Sequence, residues 1–219
     1  MIRHLLLGRS TWDDYKILHH ESWSYFARLF GATGSLFPSL RTLSRWQPTE
    51  SCEDLRLLAS PSLRSVTLRY VFTNMDGEGN CSLAVQYMLI NTPTLTDLTL
   101  ISCSGDLLAD IAPEALLQLR TLSIEVDQAS DMAPEEWYPS SDALRVLSAL
   151  PALESLVVEL GVDRYDLEFG GFQSLTALTI IDCGCGDTTW FLGKCSSPRL
   201  HTLAIDLTNL YFYLPSCAT

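Results

Sequence analysis

Residues Leu95–Cys103 read LTDLTLISC, and this nine-residue stretch decides the fold of the chain. Leucine occupies its first, fourth and sixth positions, and its last residue is a cysteine. Leu175–Cys183, LTALTIIDC, repeats the pattern position for position, with isoleucine at the sixth. Because alternate residues of an extended chain point to the same side, the fourth and sixth positions predict the apolar face of a short strand.

The same spacing of aliphatic residues occurs in seven segments of the chain. Their first residues are Leu40, Leu63, Leu95, Leu119, Leu153, Leu175 and Leu200. Successive starts lie 22 to 34 residues apart, and most of these intervals fall in the roughly 20–29-residue period of leucine-rich repeats. The two longer intervals each contain an acidic, turn-rich insertion, residues 70–80 and 127–142.

The segments between the strands have the composition of helices followed by turns. Helical spacing begins at polar residues in SCEDLRLLAS, SLAVQYMLIN, SSDALRVLSAL and DTTWFLGKC, and Ser and Asp are common at helix starts. Five strand segments have a proline two residues before their first leucine, which ends the preceding helix. This alternation predicts an α/β leucine-rich-repeat solenoid of about seven repeats, a curved parallel sheet with helices on its convex side.

The repeats begin after an N-terminal segment of different character. We assign residues 1–35 to a helical cap or linker and residues 36–219 to the leucine-rich-repeat domain. A doubly wound α/β domain is the alternative fold, but it requires more continuous apolar strands and a glycine-rich phosphate-binding turn. Neither G-x-G-x-x-G nor G-x-x-x-x-G-K-[ST] occurs in the sequence.

Charge and cysteine content restrict the partners and the compartment. The formal net charge of −12, from 14 Lys and Arg against 26 Asp and Glu, opposes binding to the phosphate backbone of a nucleic acid. No stretch reaches the roughly 18–20 apolar residues of a membrane helix. The seven cysteines are an odd number spread through apolar segments, which favours reduced thiols. We therefore expect a cytoplasmic or nuclear protein with no nucleic-acid or membrane partner.

No group of residues has the spacing of a catalytic, cofactor or metal site. The three cysteines between residues 183 and 195 are too few for a structural zinc site, which needs four ligands. No G-x-S-x-G nucleophile sequence occurs. We expect a protein that is not an enzyme and that needs no cofactor. The alternative is an α/β hydrolase with an acidic site formed by Asp163, Asp166 and Glu168.

The strand positions that alternate with the leucines form the candidate binding surface. Their third and fifth positions are mostly Ser and Thr, small side chains that carry little information about a partner. The seventh position is diverse and reads Trp46, Arg69, Ile101, Glu125, Glu159, Ile181 and Asp206. We call these residues the seventh-position row. Aromatic and Arg side chains are common interface anchors, and acids favour a basic partner, so we predict that this row and Trp137 bind a protein or peptide.

Several of these segments resemble a known family. LFPSLRTLSRW, TPTLTDLTLISC and SPRLHTLAI are similar to the repeats of fungal F-box and leucine-rich-repeat proteins, and residues 12–30 resemble the aromatic helix that links their F-box to the first repeat. The resemblance implies a substrate-recognition subunit of a ubiquitin ligase. Only eleven residues precede Trp12, and no L-P-x-E-[IL] sequence occurs. An F-box is therefore absent from these residues, and we do not expect them to bind the ligase adaptor.

Overall fold

The computed structural model describes residues 2–8, 25–26, 28–29, 35–46, 52, 54–71, 81–127, 137–161, 171–182, 187–195 and 197–206. These residues form one eight-stranded sheet in which every neighbouring pair is parallel. The strands are β1 (His4–Gly8), β2 (Thr42–Trp46), β3 (Ser65–Arg69), β4 (Asp97–Ile101), β5 (Thr121–Glu125), β6 (Ser155–Leu160), β7 (Ala177–Asp182) and β8 (Thr202–Asp206).

Helices alternate with these strands. The α-helices are α1 (Asp54–Leu58), α2 (Cys81–Ile90), α3 (Ser141–Ser148) and α4 (Asp187–Lys194), and a 3₁₀-helix covers Pro113–Leu116 between β4 and β5. The predicted α/β class and the predicted helical segments are therefore confirmed. The order of the strands in the sheet is their order in the chain, whereas a doubly wound domain reverses direction at a switch point. The described strands contain no such reversal.

A tight turn leads into most of the strands. The amide of Leu63 donates to the carbonyl of Ser60 at 3.0 Å, and Leu95 donates to Thr92 at 2.9 Å in the same way. Each turn has its proline, Pro61 or Pro93, at the second position, where the fixed φ of proline fits. The predicted prolines therefore act within a β-turn that delivers the chain to the next strand.

The leucines of the repeat form one continuous core beneath the sheet. The first-position leucines of β2 to β7 are at most 2 % exposed, and the fourth-position residues of the same strands are equally buried. The strand register aligns equivalent positions, so that Val66 lies beside Leu98 and Leu98 beside Leu122. Helices α1 and α2 and the 3₁₀-helix contribute Leu, Val, Met and Ala side chains to the same cluster.

One strand was not predicted. His4–Gly8 forms β1 and pairs in parallel with β2, although residues 1–35 were expected to be a helical cap or linker. The segment HLLLG lacks the L-x-x-L-x-L spacing, but it alternates: Leu5 and Leu7 pack against the core, while Leu6 is 69 % exposed. The sheet thus has eight strands where the sequence predicted seven.

The last strand is less well covered than the others. Leu203 and Ile205 of β8 occupy the two core-facing positions of the repeat, yet they are 49 % and 42 % exposed. Strand β8 pairs with β7 alone, so the described residues leave its other edge without a neighbouring strand. Among the residues described, no helix has the length and apolar character needed to cross a membrane.

The contribution of a fourth-position leucine to the free energy of unfolding should depend on where its strand lies in the sheet. We expect Leu98→Ala, in the centre, to lower the free energy of unfolding by about 2–5 kcal/mol, because it leaves a cavity among packed neighbours. Leu203→Ala, the same substitution at the same repeat position in β8, should cost less than about 1 kcal/mol. Urea denaturation followed by circular dichroism measures both, and equal losses would contradict this account of the core.

Candidate functional site

The seventh-position row lies at the carboxyl ends of the strands. The register places Trp46 beside Arg69, Arg69 beside Ile101, and Ile101 beside Glu125. In the later strands, β6 to β8, Glu159 lies beside Ile181, and Ile181 lies beside Asp206. The ladder between β5 and β6 ends one residue earlier, at Ile124 and Val158. The row predicted from the sequence is therefore a set of adjacent backbone positions with a break between β5 and β6.

The members of the row differ in exposure. Ile101, Glu125 and Ile181 are half-buried, and Asp206 is exposed. The Arg69 side chain is 21 % exposed. The side chain of Trp46 lies outside the described part of the structure. The side chains that face solvent next to one another in the centre of the sheet are thus an arginine, an isoleucine and a glutamate.

Glu159 is the exception in the row. It is only 3 % exposed, and its carboxylate accepts a hydrogen bond of 2.7 Å from the backbone amide of Val126. This bond forms just beyond the point where β5 and β6 cease to pair through their backbones. The Glu159 carboxylate therefore joins the two strands, and we do not include it in the binding surface.

A polar network connects the row to the second insertion. Arg69 Nη1 donates to Asp127 Oδ2 at 2.8 Å, and Tyr70 Oη donates to the same oxygen at 3.1 Å. The Asp127 amide in turn donates to Ser102 Oγ at 2.7 Å. Trp137 packs edge-on against Tyr70 with ring centroids 6.0 Å apart. We call Arg69, Tyr70, Ser102, Asp127 and Trp137 the Asp127 corner.

Two residues of this corner have a left-handed backbone. Tyr70 follows β3 with φ 56°, and Ser102 follows β4 with φ 50°. Each still donates its amide to the next strand, Tyr70 to the carbonyl of Ile101 at 3.0 Å and Ser102 to that of Glu125 at 2.8 Å. A residue other than glycine in this conformation costs about 1–3 kcal/mol, and such residues concentrate at functional sites. The strained turns hold the polar groups of the corner at the strand ends.

The second insertion also contacts β6. A Cβ atom added to Gly161 would lie 2.8 Å from Cγ of Tyr138, so only a glycine allows this aromatic ring to approach the backbone so closely. Trp137 and Tyr138 are both half-buried. Trp137 therefore packs against the residue after β3, and Tyr138 packs against the residue after β6.

Acidic side chains lie on and beside the central strands. Glu125 ends β5 and Asp127 follows it, near Arg69 at the end of β3, whereas Asp97 begins β4. Glu125 accepts a hydrogen bond from the hydroxyl of Ser123, and Asp97 accepts from Thr96 Oγ1 at 2.7 Å. With Arg69 paired to Asp127, the carboxyl end of the sheet presents the Glu125 carboxylate beside the Ile101 side chain.

The described residues contain no group of side chains suited to hold a metal ion. Among them, no three His, Cys, Asp or Glu side chains are grouped so that they could hold a metal ion. Asp163, Asp166 and Glu168, the acids of the hydrolase alternative, lie outside the described residues. No known relative of the chain was found: comparison with models of protein families, with curated proteins and with solved structures found no match.

Sequence reasoning found the row but not the corner. In the sequence, Tyr70 and Asp127 are the first residues of the two insertions, and the repeat pattern does not mark Ser102. The signal that was available is positional, because Tyr70 and Ser102 both stand one residue after the row. Neither residue type predicts a positive φ, and only the path of the chain shows that Asp127, after β5, reaches past β4 to Arg69 in β3.

The bond between Glu159 and Val126 should stabilise the sheet at its break. Glu159→Ala removes an acceptor from a buried amide, and we expect it to lower the free energy of unfolding by about 1–3 kcal/mol. Glu154→Ala removes an exposed carboxylate whose ion pair with Arg120 spans 3.5 Å, and it should cost less than about 1 kcal/mol. Urea denaturation of both variants measures the difference, and a Glu159→Ala loss no larger than the control would contradict the assigned role.

The contact between Gly161 and Tyr138 gives a second test. Gly161→Ala forces a methyl group into the Tyr138 ring, and we expect a loss of stability of about 1–3 kcal/mol from overpacking. The control is Gly193→Ala in α4, where a Cβ atom meets nothing within 4 Å. That change should instead stabilise the helix by up to about 1 kcal/mol. Thermal unfolding followed by circular dichroism compares the two, and a neutral Gly161→Ala would show that the insertion does not pack there.

Proposed function

We propose that the chain is a leucine-rich-repeat solenoid whose seventh-position row without Glu159, together with the Asp127 corner, binds a protein or peptide. Three features support the solenoid: strands that follow chain order, a turn repeated before successive strands, and one continuous ladder of buried leucines. A unit of one strand and one helix cannot bury its own apolar face, and stacking supplies the missing cover. In the described sheet, each strand pairs only with the strands that precede and follow it in the chain.

The observation that carries the proposal is the alignment of unlike side chains at the strand ends. Ile101 stands in register between Arg69 and Glu125, with Trp137 nearby on Tyr70. The third and fifth positions of the same strands hold mainly Ser, Thr and other small residues. A partially exposed aliphatic group and an aromatic ring within a polar surround are typical of an interface centre and rim.

The charge of this surface indicates the class of partner. Arg69 is neutralised by Asp127 at 2.8 Å, while Glu125 and Asp97 remain on the same side of the sheet, and the whole chain carries −12. Complementary potential accelerates association and excludes partners of like charge. The proposed ligand is therefore a peptide segment that combines an apolar anchor with Lys or Arg, and the proposal excludes a nucleic acid.

The resemblance to F-box and leucine-rich-repeat proteins extends this proposal to ubiquitin-ligase substrates. In that case the bound protein would be a target for ubiquitination. Ubiquitination of a protein bound through the row should decrease when the row is mutated. A bound protein whose ubiquitination is unaffected would separate peptide binding from the ligase role.

Panning of a random-peptide library on the immobilised chain tests the binding surface. We expect the enriched peptides to carry Lys or Arg beside an apolar residue, and their affinity to fall as salt concentration rises. The double variant Ile101→Ala/Glu125→Lys should lose about tenfold or more in affinity, equivalent to about 1.4 kcal/mol. Fluorescence anisotropy with a labelled enriched peptide measures the loss.

The helical layer offers a matched control for this experiment. Ile90, at the end of α2, is 58 % exposed, and Glu114 is an exposed acid of the 3₁₀-helix. Ile90→Ala/Glu114→Lys makes the same changes in residue type and net charge away from the row, and it should alter the affinity less than about twofold. Equal losses in both double variants, or enrichment of acidic peptides, would overturn the proposed surface.

A further inference from the structure

Arginines stand at the amino end of three neighbouring strands. Arg3, Arg41 and Arg64 directly precede the first residues of β1, β2 and β3. The backbone aligns them, because the amide of Arg41 donates to the carbonyl of Arg3 and the amide of Arg64 donates to that of Arg41, both at 2.8 Å. Neighbouring strands lie about 4.8 Å apart, so the three residues form a row about 10 Å long. We call them the amino-edge arginines.

The amino-edge arginines are exposed, and in the described part of the structure no carboxylate forms an ion pair with them. The ion-paired arginines of the described structure stand elsewhere: Arg45 with Asp54, Arg69 with Asp127, Arg120 with Glu154 and Arg145 with Asp142. Like charges at facing positions of adjacent strands repel each other. The row is therefore unfavourable in the free protein, and a bound anionic group relieves the repulsion.

A groove begins beside these arginines, on the outer face of β1, β2 and β3. It has a volume of about 270 Å³, and no Asp or Glu is among its lining residues. The residues that present their side chains to it are His4, Leu6, Thr42, Ser44, Ser65 and Thr67. Leu6 is 69 % exposed, and His4 Nδ1 lies 2.6 Å from Thr42 Oγ1. The groove thus combines an aliphatic side chain with hydroxyl groups and an imidazole.

The groove lies on the path from the amino-edge arginines to the centre of the seventh-position row. Thr67, one of its lining residues, is beside Thr99 in the register, and Ile101 stands two residues further along β4. From the strand rise of about 3.3 Å per residue and the strand spacing, the Cα atom of Ile101 is about 17–19 Å from those of Arg41 and Arg64. An extended peptide covers this distance with about five or six residues.

We infer that the peptide bound by the row continues through the groove and places an acidic side chain on the amino-edge arginines. This inference rests on the proposed function. The apolar and basic residues of the peptide contact Ile101 and Glu125, and its Asp or Glu pairs with the guanidinium groups. Leu6 and the hydroxyl groups of the groove contact the residues between. Because the two edges of the sheet carry opposite charges, they determine which end of the peptide lies at which edge.

A long polyanion fits this surface less well than such a peptide. The amino-edge arginines span only about 10 Å, and the chain as a whole carries −12. Double-stranded DNA has one negative charge per about 1.7 Å of its axis, so most of its charges lie beyond the arginines and are repelled by the protein. A peptide with one or two carboxylates brings only the charges that the arginines can pair.

Peptides enriched by panning on the immobilised chain give the first test. We expect those that depend on the row to carry Asp or Glu about five or six residues from their apolar residue. Replacing this acid with Asn or Gln should weaken binding by about tenfold, because it removes a charge-assisted pairing with guanidinium groups. Fluorescence anisotropy with the labelled peptides measures the loss. Enriched peptides without an acid at this spacing would overturn the inference.

A triple variant of the protein tests the arginines themselves. Replacing all three amino-edge arginines with Gln should weaken binding of the unchanged peptide by about tenfold, from several exposed pairings of modest strength. The control Arg56→Gln/Arg145→Gln/Arg199→Gln changes three other exposed arginines and lowers the net charge equally, and it should alter the affinity less than about twofold. Circular dichroism verifies that both variants are folded. Equal losses would overturn the inference, because they would reflect net charge alone.

The effects of the two partners should be coupled. In the triple variant, replacing the acid of the peptide should weaken binding by less than about twofold, because both changes break the same pairing. Losses that simply add would show that the acid and the arginines do not meet, and they would overturn the inference. A short single-stranded oligodeoxynucleotide that binds through the amino-edge arginines more tightly than the peptide would also overturn it.

A bulky side chain in the groove tests the path of the peptide. Ser44→Trp should weaken binding by about tenfold or more, whereas Thr179→Trp, at the same repeat position of β7, should alter it less than about twofold. A peptide that depends on Ile101 and Glu125 but not on Ser44→Trp or the triple variant would overturn this inference and leave the proposed surface intact. A peptide unaffected by Ile101→Ala/Glu125→Lys would overturn the proposed surface itself.

Discussion

The constant register between successive parallel strands is the constraint on which the rest of this structure depends. Each pairing joins the third repeat position of one strand to the third position of the next, from Thr42 and Ser65 to Ala177 and Thr202. A slip of one residue would exchange the core face of a strand for its outer face. Because no slip occurs between β1 and β8, any residue type placed at one repeat position becomes part of a row across the sheet.

The regular strands and helices of the fold follow from this constant register, and they are the elements that the sequence predicted. Periodic leucines define the strands, and the helices begin where Ser and Asp suggest them. Ser140 shows this directly, because its hydroxyl accepts from the amide of Ala143 at the start of α3. Strand β1 escaped prediction because its alternating Leu5 and Leu7 lack the first-position leucine. An edge strand that pairs on one side needs fewer buried positions, so its pattern is weaker.

The irregular features were not predictable from the repeat pattern alone. The backbones of Tyr70 and Ser102 are left-handed because their amides must reach the next strand after β3 and β4 have ended. Glu159 was predicted to belong to the binding row, yet the end of the β5–β6 ladder turns its carboxylate to the amide of Val126. A left-handed residue at a strand end decides the first case and an early end of backbone pairing decides the second, and no local sequence signal reports either one.

Arg45 is the opposite case, because alignment of the repeats shows a charged residue at a position that is otherwise aliphatic. The sixth position is aliphatic in β3 to β8, and β2 alone has an arginine there. A departure at a core position requires a compensating charge, and Asp54 supplies it from the next helix. Trp46, the first member of the seventh-position row, is the next residue along the same strand. Arg45 therefore joins β2, the strand whose end begins the row, to α1 through the Asp54 carboxylate.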